Sequence, residues 1–368
     1  MFSGGTTSSY RGNSRLGMVA FPRGRSFTRF SVTASDSKRC TRYFLGPSCP
    51  PLPPRPEGRG CGKVYRSPVG VTMMTVYALS SSNGLAARVG RAIGDKVVLL
   101  EEKEFPDGES YVRVPQRPEG PAILVASLHP PQDKNFVKLL LALEALSATK
   151  PEGLFVVVPY LAYARQDKRF LEGEPISVKV VLKSIEAAGA AGLVVVDAHK
   201  PSALSEHLSI PFRNALPSRE IAEYFKERLR DPLVLAPDAG ALERARSVAE
   251  HLGADYDYLV KERDRVTGEV RAQPKSVSVQ GRDVLIVDDI ISTGGTVALA
   301  ASTALKQGAL RVFAACTHAV MVKGALDLML SSGVEEVIAT DTVPSPVSRI
   351  TAAPAIVEAL KSLFDEAL

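Results

Sequence analysis

The chain has 368 residues, of which 45% are hydrophobic and 23% charged, and its formal net charge is +5. These proportions are ordinary for a globular protein, and the length allows two domains with a large core. No apolar run approaches the roughly 18–20 residues that a membrane helix needs, so we expect no membrane span. The 4 cysteines have neither zinc-site nor disulfide-framework spacing, which favours a reducing compartment and a cytoplasmic protein.

The first 73 residues differ from the rest in composition. They contain 12 Lys and Arg against 2 Asp and Glu, whereas the remaining chain contains 33 basic and 38 acidic residues. The positive charge therefore belongs to this segment, and the charge of the whole chain does not support nucleic-acid binding. The segment is rich in Arg, Ser, Gly and Pro and has no helical or alternating period, which predicts a disordered basic extension over residues 1–73.

Three explanations of this extension stay open. It has the Arg- and Ser-rich, acid-poor composition of an organelle transit peptide. It could instead be a basic tail that binds nucleic acid. It could also be translated sequence upstream of the true start, with Met73 or Met74 as the initiator, because a strand-like run follows directly at residues 75–79.

From residue 75 onward, short apolar runs alternate with helical stretches. Strands are predicted at residues 76–79, 96–100, 122–126, 154–158, 192–197, 233–236, 257–260, 284–287, 311–315 and 335–340. Helices are predicted at residues 84–93, 135–148, 178–188, 218–229, 241–252 and 324–331. This alternation predicts an α/β fold of mostly parallel sheets flanked by helices. The spacing indicates two halves, over residues 74–215 and 216–368.

A mixed polar cluster follows the predicted strand at residues 154–158. Arg165, Gln166, Asp167 and Lys168 come after two tyrosines and before a predicted helix. Two cations, an amide and a carboxylate at a strand end suit recognition of a polyphosphate attached to a base. An ordinary solvated basic turn is the alternative from composition alone.

Residues 284–308 are the most informative segment of the chain. The apolar run Val284 to Val287 predicts a strand buried on both faces, and Asp288 and Asp289 follow at its carboxyl end, where open α/β sheets bind ligands. A short loop then leads into a helix and consists of Ser292, Thr293, Gly294, Gly295 and Thr296. Glycines that allow a tight turn, N–H groups at the helix start and hydroxyl donors predict a phosphate-monoester site. The carboxylates beside it could accept hydrogen bonds from sugar hydroxyls. A purely structural turn is the alternative.

These segments resemble known families. The loop at residues 292–296 resembles the phosphoribosyl-pyrophosphate loop of the phosphoribosyltransferase-type fold. The Arg165–Gln166 cluster resembles the Y-x-R-Q-D-K segment of ribose-phosphate diphosphokinases. Residues 104–109, 196–199, 237–240 and 261–263 are similar to further segments of that family, in the same order. The stretch after His199 looks closer to that of the compact archaeal-type enzymes of this family.

The resemblance implies an activity and an architecture. The fold would consist of two phosphoribosyltransferase-type domains. The enzyme would transfer the β,γ-diphosphoryl group of ATP to the C1 hydroxyl of ribose 5-phosphate, releasing AMP, in nucleotide biosynthesis. Mg²⁺ would be the cofactor and ATP the co-substrate. The protein would be a homo-oligomer whose adenine site is shared between subunits, with no nucleic-acid or membrane partner.

The resemblance also implies a role for each matching residue. The catalytic residues would be Lys261 and Arg263, on a lid that composition alone would describe as a solvated hairpin. ATP would be bound by Asp107, Gly108, Glu109, Arg165 and Gln166. Ribose 5-phosphate would be bound by Arg263, Asp288, Asp289, Ser292, Thr293, Gly294, Gly295 and Thr296. The metal would be held by His199 and Asp238, although Mg²⁺ prefers oxygen ligands and a lone His at a strand end is more often structural.

The sequence departs from the family pattern in two places. Ser292 stands where many members carry Asp, which removes a negative charge near the phosphate. After His199 the chain reads Lys200-Pro201-Ser202 instead of a Gln-, Gly- and Phe-rich stretch. Subunit contacts and allosteric sites of that region therefore cannot be transferred to this chain.

Two other functions stay open. A phosphoribosyltransferase of purine or pyrimidine metabolism shares the phosphate loop, but such enzymes usually have one domain and lack the Arg165 cluster and the loop at residues 107–109. A non-catalytic regulatory subunit would have lost its catalytic loop, whereas Lys261 and Arg263 are present here. Release of AMP from ATP would distinguish the three.

Overall fold

The computed structural model describes residues 74–263, 270–275 and 277–367, so the extension predicted over residues 1–73 lies outside the described residues. In chain order the strands of the described part are β1 (Thr75–Ala78), β2 (Lys96–Leu99), β3 (Glu101–Glu104), β4 (Ser110–Arg113), β5 (Ala122–Val125), β6 (Leu154–Val158), β7 (Gly192–Val196), β8 (Phe212–Ala215), β9 (Leu233–Ala236), β10 (Asp255–Arg263), β11 (Val270–Pro274), β12 (Asp283–Ile291), β13 (Arg311–Ala319), β14 (Val334–Thr340) and β15 (Ser348–Ile350). The α-helices there are α1 (Leu85–Ile93), α2 (Gln132–Ser147), α3 (Ser177–Ala187), α4 (Ser202–His207), α5 (Ser218–Phe225), α6 (Leu242–Leu252), α7 (Gly295–Lys306), α8 (Ala325–Ser331) and α9 (Ala353–Ala367). No helix in this part of the chain is both long and apolar enough to cross a membrane.

Two separate sheets organise the fold. The first has the strand order β2-β1-β5-β6-β7-β8, and all its neighbouring strands are parallel. The second has the order β11-β10-β9-β12-β13-β14-β15 and is parallel except for the β10–β11 pair. The prediction of two mostly parallel sheets is confirmed.

Helices cover both faces of the first sheet, because its central strands are apolar at every position. Strands β5, β6 and β7 are buried along their whole length. In β5, Leu124 packs with residues of α2 and α3, whereas Ile123 packs on the opposite face with residues of α1 and α9. Strands that are covered on both faces usually have a continuous run of apolar residues in the sequence, and these three strands do.

The last helix packs against the first sheet, although the second half of the chain precedes it. Residues of α9 that are fully buried, such as Ile356 and Leu363, belong to the same apolar cluster as Val76 and Val194 of the first sheet. The ring centroids of Phe364 and Phe155 lie 4.6 Å apart in an edge-to-face arrangement. The division of the chain at residue 215 therefore stays a prediction.

The carboxyl ends of the two sheets face each other across a polar contact. Ser127 Oγ, after β5, donates a hydrogen bond of 2.8 Å to the carbonyl oxygen of Thr342, after β14. His318 of β13 is fully buried, and its Nε2 lies 3.0 Å from the carbonyl oxygen of Val196. Burial lowers the pKa of His318, so the imidazole is neutral and joins the two halves through hydrogen bonds. This arrangement places the ends of β7, β9 and β12 around one space.

Candidate functional site

A cavity of about 490 Å³ lies where these strands end. Both halves of the chain line it. The lining residues are Arg165, Asp167, His199, Lys200, Asp238, Gly240, Ala241, Arg244, Asp288, Asp289, Ile290, Ile291, Ser292, Thr293, Gly294, Thr296 and Val297. Cations, carboxylates and a glycine loop thus surround one space that is large enough for a small phosphorylated ligand.

The predicted phosphate loop has the expected strand-to-helix geometry. Gly294 is the N-cap of α7 and has a φ of +77°, in the left-handed region. A Cβ atom at Gly294 would lie 2.9 Å from the carbonyl oxygen of Ala325, so no larger residue fits there without movement of the backbone. The first N–H groups of a helix have no intrahelical partner. The start of α7 therefore offers the cavity a set of donors for an anion.

Strand β12 is longer than the predicted run at residues 284–287. Its pairing with β13 continues through Ile291, whereas its pairing with β9 stops at Ile286. Asp288 and Asp289 consequently lie beyond the end of β9, inside the strand rather than after it. They remain at the carboxyl edge of the sheet, where both line the cavity.

The two aspartates have opposite electrostatic environments. Burial, together with the charge of Asp289, raises the pKa of Asp288 to about 8. Asp289 is also buried, but the hydrogen bond from His199 and the charge of Arg244 hold its pKa well below the usual value. The Nδ1 atom of His199 lies 2.6 Å from Asp289 Oδ2. One carboxylate is thus fixed in its charged form while its neighbour is easily protonated.

Only some residues of the polar cluster Arg165 to Lys168 line the cavity. Arg165 and Asp167 line it, and Asp167 Oδ2 forms an ion pair of 2.6 Å with Lys200 Nζ. Gln166, a predicted ATP ligand, is not among the lining residues, and its Oε1 accepts a hydrogen bond from Ser177 Oγ at the start of α3. In this conformation Gln166 holds the loop against α3.

The predicted adenine-contacting residues lie elsewhere on the same chain. Asp107, Gly108 and Glu109 form the tip of an antiparallel hairpin made by β3 and β4. The tip is exposed, and the backbone N–H of Glu109 bonds to Asp107 Oδ1 at 3.2 Å. None of the three lines the cavity of its own chain.

The predicted metal ligands both line the cavity but do not form a preformed cage. Asp238 Oδ1 accepts a hydrogen bond of 2.9 Å from the backbone N–H of Gly240, and His199 is bonded to Asp289. Among the described residues, no group of three or more His, Cys, Asp or Glu side chains is arranged to hold a metal ion. Mg²⁺ commonly binds through one or two carboxylates, several waters and substrate phosphates. The donors present fit such a substrate-borne ion.

The predicted catalytic residues belong to the end of strand β10, where only their backbone is described. The backbone of Lys261 pairs with Ala272, and that of Arg263 with Val270, in the antiparallel β10–β11 ladder. Residues 264–269, which complete the predicted lid, lie outside the described residues. The lid and the roles of Lys261 and Arg263 stay predictions.

Sequence reasoning missed two cations of the site, Lys200 and Arg244. A signal for Arg244 existed, because it lies three residues after Ala241 and four before Val248, on the buried face of α6. A charged residue at an apolar helical position needs a partner in the interior. Lys200 had no such signal, since it follows His199 in a turn.

Comparisons with known proteins agree with this geometry. A model of the N-terminal domain of ribose phosphate pyrophosphokinase matches residues 74–189, and a phosphoribosyl transferase domain model matches residues 214–348. A ribose-phosphate pyrophosphokinase of Sulfurisphaera tokodaii is 44% identical over 280 residues, which are 76% of this chain and 96% of that protein. The enzyme of Methanopyrus kandleri is 42% identical over 293 residues, which are 79% of this chain and 99% of the relative.

The fold is similar to that of a solved structure. The crystal structure of phosphoribosylpyrophosphate synthetase from Mycobacterium smegmatis matches with a TM-score of 0.70 at 26% sequence identity. The match covers 80% of this chain and 99% of that one. Both halves of the described fold therefore have their counterparts in one solved protein.

Proposed function

Since this chain belongs to the ribose-phosphate pyrophosphokinase family, we propose how its residues transfer the diphosphoryl group of ATP to the C1 hydroxyl of ribose 5-phosphate. The hydroxyl oxygen loses its proton to solvent and forms a bond to the β-phosphorus, the bond from that phosphorus to the oxygen of AMP breaks, and AMP leaves. The product is 5-phospho-α-D-ribose 1-diphosphate. The relatives that match at 41–46% identity are archaeal enzymes, which agrees with the resemblance to the compact archaeal-type enzymes.

Ribose 5-phosphate binds to the lining residues that the second half of the chain contributes to the cavity. The N–H groups at the start of α7 and the hydroxyls of Ser292, Thr293 and Thr296 bind the 5-phosphate. Asp288 and Asp289 accept hydrogen bonds from the ribose 2- and 3-hydroxyls. The observation that carries this assignment is that the helix start and the carboxylate pair line the same cavity, one suited to an anion and the other to a polyol.

The polyphosphate of ATP binds against the residues that the first half of the chain contributes to the cavity. Arg165 is one of these lining residues and supplies positive charge to the phosphates. Lys261 and Arg263 close over the phosphates from β10 and meet the charge that develops during transfer. Because the transferred group is anionic throughout, positioning and charge neutralisation provide most of the rate.

Two side chains of the cavity could hold a magnesium ion that accompanies the nucleotide. Asp238 and His199 are the side chains that would hold it, and the absence of a three-residue cage among the described side chains suits an ion carried mainly by phosphates and water. When bound, Mg²⁺ neutralises phosphate charge and helps orient the polyphosphate. The hydrogen bond between His199 and Asp289 holds the imidazole beside the carboxylate pair assigned to the ribose.

The adenine is bound by a second subunit of a cytoplasmic homo-oligomer. Asp107, Gly108 and Glu109 do not line the cavity of their own chain, and their exposed hairpin can project towards a neighbour. Gln166 joins them after release from Ser177. Mixing chains that carry Lys261→Ala with chains that carry Asp107→Ala tests this, because shared sites would regain part of the activity lost by each variant.

Purified protein tests the reaction itself. With ATP, ribose 5-phosphate and MgCl₂, AMP and the diphosphate product should form in equal amounts. Chromatography and ³¹P NMR measure both products. A phosphoribosyltransferase would instead consume the diphosphate in the presence of a nucleobase. Tight binding of both substrates without AMP release at any Mg²⁺ concentration would contradict the proposed reaction.

A further inference from the structure

Arg244 is a nearly buried arginine that contacts both halves of the chain. Its side chain, on α6 of the second half, is 12% exposed. Its Nε lies 2.6 Å from Asp197 Oδ1, and its Nη2 donates a hydrogen bond of 3.1 Å to the carbonyl oxygen of Ala198. The same Nη2 lies 3.6 Å from Asp289 Oδ2. One guanidinium thus joins the end of β7 to the aspartate pair of β12.

The contacts with Arg244 help to hold Asp197, whose backbone conformation is rare for a residue with a side chain. Its φ is +42°, in the left-handed region that non-glycine residues seldom occupy. The second half holds its side chain on both sides, since Thr317 Oγ1 donates to Oδ2 at 2.6 Å while Arg244 occupies Oδ1. Residues in such conformations persist when their surroundings over-determine them.

The turn at Asp197 directs the next residues into the cavity. The backbone N–H of Ala198 bonds to Asn214 Oδ1 at 2.8 Å, and His199 then reaches Asp289 with its Nδ1 at 2.6 Å. Arg244 therefore contacts the turn that presents His199 and also the carboxylate that receives it. Its three acceptors lie on two segments, the turn after β7 and strand β12, and a planar guanidinium fork can serve them together whereas a lysine ammonium cannot.

We propose that Arg244 is a positioning residue, which fixes His199 and Asp289 relative to each other across the two halves of the chain. This inference rests on the proposed function, because it assigns the reaction to the cavity that these residues line. Arg244 acts through its hold on Asp197, Ala198 and Asp289 and does not need to touch the substrate. A shift of about 1 Å at a reacting site can lower a rate 100-fold, which is the size of effect expected from its loss.

The test separates positioning from simple neutralisation of a buried charge. Arg244→Met leaves Asp197 buried without its cation, whereas the double variant Arg244→Met, Asp197→Asn removes both charges. Arg246→Met is the matched control, because Arg246 lies two residues away on α6, is 45% exposed and pairs only with Glu243 and Glu250 of its own helix among the described contacts. Turnover is measured well below the lowest melting temperature, so that every variant is compared while folded.

We expect Arg244→Met to lose stability and to lower kcat about 100-fold, while Arg246→Met keeps the parental kcat. The double variant should regain stability but not kcat, and Arg244→Lys should remain at least about 10-fold impaired because it keeps charge without the fork. Recovery of the parental kcat in the double variant or in Arg244→Lys would overturn the proposal.

A second measurement does not depend on turnover. The NMR signal of the His199 imidazole, assigned by its loss in His199→Gln, should move in substrate-free Arg244→Met and stay in place in Arg246→Met. An unmoved signal in Arg244→Met would refute the positioning role even if no variant had activity. Absence of AMP release from the parental protein, with the signal moving as expected, would instead contradict the proposed function alone.

Discussion

The Nζ atom of Lys200 lies 2.6 Å from Oδ2 of Asp167, and both residues line the cavity. The ion pair lowers the pKa of Asp167, mainly through the hydrogen bond from Lys200, and raises that of Lys200. Both groups are therefore charged at neutral pH. The lysine side chain is 45% exposed and the carboxylate 11%, so the ammonium can turn towards an anion while Asp167 stays in the wall.

Lys200→Ala should weaken ATP binding, because Lys200 lines the same cavity as Arg165 and its ammonium can supply positive charge to the phosphates. Loss of a hydrogen bond to a charged group costs about 1.5–3 kcal/mol, so the KM for ATP should rise at least about 10-fold. Steady-state kinetics with varied ATP measures this. Lys183→Ala is the control, since Lys183 is equally exposed and pairs with Glu186 away from the cavity. Equal KM values for the two variants would show that Lys200 does not contact the nucleotide.

Gly294→Ala should damage the phosphate loop far more than Gly295→Ala. At Gly294 the φ is +77° and a Cβ would lie 2.9 Å from a backbone oxygen, whereas at Gly295 the nearest atom would be 3.8 Å away. The strained variant should raise the KM for ribose 5-phosphate at least about 10-fold, as expected when charge-assisted contacts to the phosphate are lost. Isothermal titration with ribose 5-phosphate measures the loss directly. Similar affinities for the two variants would mean that the loop tolerates a side chain there.

Lys261→Ala should act on turnover rather than on binding. A residue that meets transition-state charge contributes little to the ground state, so kcat and kcat/KM should fall together, by about 100- to 1000-fold. Lys275→Ala, at the exposed end of the same β-ladder, is a suitable control. A variant with near-normal kcat and a raised KM would make Lys261 a binding residue.

Asp288→Asn should change how stability depends on pH. Because burial raises the pKa of Asp288 from 3.8 to about 8, the folded protein keeps a proton between these values that the unfolded chain has released. The contribution of this group is therefore present at low pH and is lost as the pH rises towards 8. In urea denaturation without substrates, the Asn variant should gain stability relative to the parental protein from pH 5 to pH 8. Asp365→Asn, at an exposed site, is the control variant.

A chain that starts at Met74 should match the full-length protein in melting temperature and activity. The family match begins at residue 74 and β1 at Thr75, so every residue assigned to the site follows the truncation. Because the composition of residues 1–73 predicts disorder, limited proteolysis of the full-length protein should cut near that point. An insoluble or clearly less stable truncated chain would show that the extension packs against the body.

Apolar patterning predicted the sheets well because their strands are buried on both faces. The run at residues 154–158 is the observed β6, and every residue of it is buried. The β3–β4 hairpin was missed because β3 consists of Glu101, Glu102, Lys103 and Glu104, which has no apolar alternation. Its stability comes from tertiary contacts such as the ion pair of 2.8 Å between Glu102 and Lys138 of α2, and a linear pattern does not contain these.

The phosphate loop and aspartate pair were predictable because one continuous segment contains them. The partner of His199 was not, since the bond that His199 makes to Asp289 joins positions 90 residues apart. Gln166 illustrates the same limit, because its bond to Ser177 depends on how the loop folds back onto α3. Sequence motifs identify groups that work together, but their pairwise contacts depend on packing between the halves.

The return of α9 to the first sheet has a consequence for synthesis on the ribosome. Domains commonly fold as they emerge from the amino-terminal end, yet Ile356, Leu360 and Leu363 complete the apolar layer over Val76 and Val194. The area of the first sheet that α9 covers, beside α1, therefore stays exposed while the entire second half is translated. Nascent chains halted before residue 353 should bind chaperones that recognise exposed apolar surface and should release them once the final helix leaves the exit tunnel.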